Sequence, residues 1–321
     1  MKRILYLLFC LYVVSAASGG TAVSIEGAQW HINGQITYPG TAAGGLLMNV
    51  RMVNSTFEDR KRPDFDSDEN AGHFISKIRE YNSYGVRAFT VNLQGGFPGY
   101  EGAVNSAFRP DGTLRKKNLG RIKRVIEECY KCGMVVILGL FYQRQDQILQ
   151  DERAVKNAVV NAVSWIKDSG FTNVVIEIAN EYDHGGFDHD IIKTPEGEVG
   201  LIRLVKKTVP ELLVSTSGLG HGRMNDLIAK EADFILIHFN GTKVEDIPER
   251  INALKKYDKP IICNEDDKIG NEAMLALQAC VDNGCSWGFM HNKLNQYEPF
   301  EFNGYDDDRK VYDKFKELTG K

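Results

Sequence analysis

Two glutamates in this chain stand where carboxylates can do acid–base and nucleophilic work together. Glu181 follows the run Val174-Val175-Ile176-Glu177-Ile178-Ala179-Asn180, and Glu265 follows Pro260-Ile261-Ile262-Cys263-Asn264. Each ends a short apolar, β-rich stretch, so each is expected at the exit of a strand rather than inside it. Two carboxylates facing across a cleft can protonate a leaving oxygen and attack the carbon it leaves, which is what breaking a glycosidic bond requires. The Asn-Glu dipeptide alone means little. Asn271-Glu272 carries it too, at the start of a helical pattern, where it reads as a solvated pair.

The elements that would position these groups alternate along the chain. Strands are expected at 45–52, 86–93, 134–142, 173–179, 212–217, 234–239, 260–263 and 286–291, most of them near-continuously apolar, as strands buried on both faces must be. Helical patterns lie between them, such as Ala154-Val155-Ala158-Val159-Ala162-Val163-Trp165-Ile166 and Leu119-Ile122-Val125-Ile126-Cys129, with Trp165 expected in the core. Gly85, Gly133, Gly170 and Gly284 each fall between a helix pattern and the next strand, the place of a left-handed helix cap. Eight strand–helix units predict an α/β fold of the (β/α)8 TIM barrel type over residues 45–321. The competing open doubly wound sheet lacks the glycine-rich turn expected behind its first strand. Residues 18–44 form a separate N-terminal segment, in which Asn33-Gly34 signals a short β-hairpin that would cover the bottom of the barrel.

In such a barrel the working residues sit at the C-terminal strand ends, which places Glu181 on strand four and Glu265 on strand seven, across the mouth from each other. With Ile178-Ala179-Asn180-Glu181-Tyr182 and Ile262-Cys263-Asn264-Glu265 on these strands, the chain resembles the retaining glycoside hydrolases of clan A, most closely the cellulase-like family 5. The resemblance implies that Glu181 is the general acid/base and Glu265 the nucleophile, with Asn180 on the sugar 2-hydroxyl and His238 in contact with substrate. The chain departs from the family at three places. The strand-two Arg is replaced by Phe89-Thr90-Val91-Asn92, the strand-three His pair by Phe141-Tyr142, and the strand-eight Trp is missing, although Trp287 lies nearby. Glu265 and its neighbour Asp266 compete for the nucleophile's role on sequence grounds.

Further candidate sugar ligands at strand ends are Arg51, Asn92, Gln94, Tyr142, Tyr182 and Trp287. Phe97, Tyr100, Phe187, Tyr297, Phe300 and Phe302 add aromatic faces in the expected loops, where sugar rings or neighbouring loops can stack on them. No metal or cofactor is expected: the loop bearing Asp183, His184, Asp188, His189 and Asp190 is rich in potential ligands but lacks a recognised metal spacing. The alternatives are a carbohydrate-binding barrel without chemistry and a metal-dependent barrel hydrolase, the latter without the H-x-H usual at its first strand. Asp306-Asp307-Asp308 is expected to open the last helix.

The remaining composition bounds the partners and the compartment. Lys and Arg number 39 against 43 Asp and Glu, a net charge of -4, which gives no field for nucleic acid or an anionic membrane surface. The basic start Met1-Lys2-Arg3, the apolar run 4–14 and Ser15-Ala16-Ala17-Ser18 read as a secretory signal peptide over residues 1–17, and therefore a secreted or periplasmic protein without stable membrane insertion. Its removal leaves five cysteines, an odd number and no disulfide framework, with Cys129 and Cys132 best read as core.

Overall fold

The computed structural model describes residues 20–321, so the signal-peptide expectation for residues 1–17 lies outside the described residues. The chain opens with a three-stranded antiparallel sheet, β1 (Val23–Glu26), β2 (Gln29–Ile32) and β3 (Gln35–Ile36), in which Asn33 and Gly34 both take left-handed φ at the turn. The barrel strands follow: β4 (Asn49–Arg51), β5 (Ala88–Asn92), β6 (Val135–Phe141), β7 (Val174–Ala179), β8 (Val214–Ser215), β9 (Ile235–His238) and β10 (Ile261–Glu265). The eighth is split into β11 (Cys285–Ser286) and β12 (Gly288–Phe289).

The strands pair in parallel in the order β12-β4-β5-β6-β7-β8 and again in the order β11-β10-β9. Two bridges join these runs, Ser217 opposite Leu236 and Asp266 opposite Phe289, which closes the eight-stranded barrel. The expected strands all form. Several are shorter than their apolar runs, because the ladder stops where the strand ends flare into loops.

Helices α1 (Ser67–Ser83), α2 (Lys116–Lys131), α3 (Glu152–Asp168), α4 (Asp190–Lys193), α5 (Pro195–Thr208), α6 (Asp226–Glu231), α7 (Ile247–Leu254), α8 (Gly270–Asp282) and α9 (Arg309–Thr319) lie between and after the strands. Their buried faces are those the periodicity marks: α3 buries Ala154, Val155, Ala158, Val159, Ala162, Val163 and Ile166. Trp165 is only partly buried, set edge-on to Phe171 at the rim of that stripe rather than in the core. Asp308 caps α9 by accepting from the Val311 N–H. Gly133 and Gly284, with φ of 68° and 77°, make the left-handed turn from helix into strand that a Cβ would disfavour. No helix among the described residues is long and apolar enough to cross a membrane.

The N-terminal sheet seats the barrel's floor. Trp30 is fully buried, packs edge to face on Phe234 with ring centroids 5.3 Å apart, and joins Leu47, Ala88, Val135, Val175 and Ile262 in one apolar cluster. Truncating it leaves a cavity in that cluster, so Trp30→Ala is expected to cost about 3–5 kcal/mol in chemical denaturation. A loss below about 1 kcal/mol would show that the sheet is merely attached.

Candidate active site

Above the apolar floor the barrel interior turns polar, and the strand ends place one charged cluster in it. Glu181 and Glu265, 8 % and 5 % exposed, bring an oxygen each within 4.8 Å of one another and of a ring nitrogen of His238. Local backbone geometry aims both acids. Glu181 takes a left-handed φ of 53°, a conformation costing a non-glycine residue roughly 1–3 kcal/mol. Its N–H donates to Ser217 Oγ at 3.0 Å and its carbonyl accepts the His184 N–H at 2.7 Å, which hold that turn.

Glu265 is aimed by a β-bulge. The β9–β10 register slips between Cys263 and Glu265, so both Asn264 and Glu265 reach interior partners, where plain alternation would send them to opposite faces. Asp266 turns the other way. Its carboxylate accepts from Lys268 Nζ at 2.8 Å and from the Trp287 indole N–H at 2.9 Å. This geometry separates the two acids: Glu265 faces Glu181 and Asp266 does not.

Around the pair, Arg51 Nε lies 2.9 Å from Glu265 Oε2, an ion pair whose N–H is not aligned on the oxygen, while its Nη2 donates to Asn180 Oδ1 at 2.5 Å. Arg51, from the first strand, thus sets beside Glu265 the guanidinium that the second strand lacks. Asn240 Nδ2 donates to the other Glu265 oxygen at 2.7 Å, and Asn180 Nδ2 donates to Gln143 Oε1 at 3.0 Å. Tyr142 is buried beside these groups, its hydroxyl accepting from Gln296 Nε2 at 3.3 Å. Burial and the Glu265 charge push that phenol up to about 12, so it stays a neutral donor.

His238 sits among three carboxylates. Its Nδ1 is 3.3 Å from Glu181 and 3.6 Å from Glu265, and its Nε2 is 3.8 Å from Glu177, a contact longer than a hydrogen bond. Burial works to discharge the ring, but the Glu265 charge together with Glu177 and Glu181 raises it to about 10, so it is an imidazolium at neutral pH. Glu177 is fully buried under the site and also accepts from Ser217 Oγ at 2.6 Å and Asn264 Nδ2 at 3.1 Å.

A histidine whose folded pKa is raised stabilises the fold fully below its unfolded value near 6.5 and loses that contribution as pH climbs toward about 10. Stability is therefore expected to fall across that window in the native protein and to fall less steeply in His238→Asn, read by urea midpoints at several pH values. Equal slopes would show that the ring is neutral.

These charges reverse the order expected of a resting acid/base pair, in which a closed site and the neighbouring carboxylate would raise Glu181. Burial does push Glu181 up, but the hydrogen bond and charge of His238, with Arg51 beyond, carry it below the ordinary carboxylate range. Glu265 is the one raised, by burial first and by the Glu181 and Glu177 charges, against Arg51 and His238.

Of the other sequence candidates, Asn92 lies against Gly139, where a Cβ would come within 2.5 Å of its Oδ1, and its amide has no hydrogen-bonding protein partner. Three candidates are not brought to the cleft. Trp287 is fully buried outside the barrel, stacked on Phe289 and close to Phe315, with its N–H on Asp266. Tyr182 packs in the hydrophobic core beside Gly218. Gln94 ties loops together, donating to Ser106 Oγ and the Gln145 carbonyl. Residues that sequence reasoning did not select are Glu177, Asn240, Gln143 and Gln296. An acid inside the apolar run of strand four was the signal for the first.

Of the ligand-rich loop after β7, His189 Nδ1 is 2.7 Å from Asp146, which also accepts the Asp188 and His189 N–H groups, so the loop is pinned by a carboxylate. Between the loops after β5, β6 and β7 lies a cavity of about 220 Å³ lined by Phe97, Tyr100, Tyr142, Gln143, Arg144 and His184, among others.

No family model matches the sequence and no curated protein matches it. Solved structures do match in shape. The endo-1,4-beta-mannanase from Rhizomucor miehei superposes with a TM-score of 0.62 at 14% identity, covering 94% of this chain and 100% of that one. A broad specificity endoglucanase from an uncultured bovine rumen ciliate gives 0.64 at 14%, covering 89% and 99%. A glycoside hydrolase family 5 structure from Bacteroides vulgatus ATCC 8482 gives 0.61 at 16%, covering 87% of this chain, which spans 63% of that one. At these identities the likeness is one of architecture: the chain has the (β/α)8 barrel fold seen in glycoside hydrolases of family 5.

Proposed function

We propose that this chain is a secreted retaining glycoside hydrolase that cleaves a polysaccharide or its oligosaccharides by double displacement. The observation that carries this reading is the Glu181–Glu265 pair, facing across the barrel mouth with oxygens within 4.8 Å. That spacing suits attack by one carboxylate on the carbon whose leaving oxygen the other protonates, and it leaves no room for the water that an inverting enzyme places between them.

Glu265 is the nucleophile, oriented by Arg51 on one oxygen and Asn240 on the other. Glu181 is the acid that protonates the departing oxygen and then the base that deprotonates the water releasing the glycosyl–enzyme. The surroundings raise Glu265 and lower Glu181 in the free site, so substrate has to reverse that order. Filling the cleft removes water from Glu181, and positive charge growing at the anomeric carbon favours an ionised Glu265. Asn180 and Asn92 are positioned to take sugar hydroxyls. Glu181, His238 and Glu265 also have the spacing of a metal site, but Arg51 already pairs with Glu265 and the charged imidazolium would repel a cation.

A diverse polysaccharide panel, read for released reducing ends, tests the reaction class. A matching 2-deoxy-2-fluoro glycosyl fluoride is expected to stop turnover and add one sugar to the peptide containing Glu265. Glycan binding without turnover or labelling would favour the non-catalytic barrel instead.

A further inference from the structure

The barrel mouth is closed on the side opposite the acid. Glu181 leaves strand β7, and in a ring of eight strands the element across from β7 is β12. The loop that follows β12 does not lie open; it is bonded across to the loops after β4, β5 and β6. The Gln296 carbonyl accepts from Asn54 Nδ2 at 2.7 Å and its amide reaches the Tyr142 hydroxyl. Between them a Cβ on Gly96 would come within 2.8 Å of Val53 Cγ2, 2.9 Å of Gln296 Nε2 and 3.3 Å of the Tyr142 ring, so the four loops meet closely at this glycine. Farther out, the Glu298 N–H donates to the Pro98 carbonyl at 2.9 Å, and its carboxylate takes both Arg62 Nη groups at 2.5 and 2.9 Å. Phe300 anchors the loop against Phe57, with centroids 5.1 Å apart.

The chemistry fixes which part of a glycan meets this wall. The leaving group must lie on the side of Glu181, toward the loop that follows β7. The glycone then points the other way, toward β12 and β4, and Val53 and Asn54 in the wall lie only two and three residues past the Arg51 that holds Glu265. Resting on the glycosidase reading above, we propose that the site is a pocket for a chain end: it takes the non-reducing terminus of a glycan and releases a product of one fixed, short length, with the strand-eight loop as the stop.

The test uses β-1,4-linked manno-, gluco- and xylo-hexasaccharides carrying a fluorescent tag at the reducing end. The expected first products are one untagged mono- or disaccharide and one tagged remainder shortened by the same amount. Several tagged lengths appearing together from the start would mean internal cleavage and overturn the proposal. Arg62→Ala combined with Glu298→Ala removes the clamp without touching the carboxylate pair. It is expected to make internal products at least about tenfold more abundant, and an unchanged pattern would show that this loop is not the stop. Internal cleavage leaves the glycosidase reading standing. Absence of both cleavage and fluoro-sugar labelling of Glu265 overturns that reading, and this inference with it.

Discussion

Glu265→Ala is expected to lower kcat/KM by at least about four orders of magnitude while leaving the protein folded, because in the proposed mechanism it removes the atom that forms the glycosyl–enzyme bond. The charge count explains why folding should survive. Arg51 and the His238 imidazolium face three buried carboxylates, Glu177, Glu181 and Glu265, and removing one leaves two against two. The wild-type site carries the surplus acid, and burial together with the Glu181 and Glu177 charges pushes the pKa of Glu265 upward. Urea midpoints at neutral pH should therefore be no lower in Glu265→Ala than in the native protein, as expected where function is kept at a cost in stability.

Added azide gives the second readout. It can occupy the space left by the carboxylate and attack the anomeric carbon, yielding a glycosyl azide of inverted configuration. Asp266→Asn is the control next door. It breaks a buried pair with Lys268, so it should cost stability, about 3–5 kcal/mol, without azide-dependent rescue. Azide rescue at Asp266 rather than Glu265 would reverse the assignment.

The sequence made the barrel legible because strands buried on both faces must be apolar throughout, and such runs alternate with helix stripes from residue 45 onward. The two glutamates were legible for a related reason: an acid at the end of such a run sits where a barrel keeps its chemistry. Three kinds of information were not. Side-chain direction beyond a strand end depends on bulges, so Trp287, one residue past β11, was counted toward the cleft although it points to α9. The same uncertainty left Glu265 and Asp266 level until the slip after Cys263 separated them. Partners from distant strands were invisible. Nothing local to Arg51 says that it pairs with Glu265, and nothing local to Glu177 says that it lies under His238. The opposite shifts of the two carboxylates follow from those partners, which burial alone does not show.

Glu181→Ala is expected to separate substrates by leaving group, which no structural role for that residue would do. Without its acid the site still holds Glu265, so a sugar with a good leaving group such as dinitrophenolate should still transfer to the nucleophile at close to the native rate. A natural glycan, whose alkoxide must be protonated as it leaves, should lose about 10²–10⁴-fold, the range of general acid–base catalysis. Release of the glycosyl–enzyme then becomes slow, because Glu181 also activates the water. A burst of dinitrophenolate equal to the enzyme concentration should precede a slow steady state. Azide should speed that second step and give a product of retained configuration, opposite to the outcome at Glu265. Glu181→Gln should behave like the alanine variant on natural glycans, since the amide keeps the hydrogen-bonding shape but supplies no acid. If Glu181 only braced His238, at 3.3 Å from its ring, both leaving groups would slow together and the glutamine would restore most of the loss.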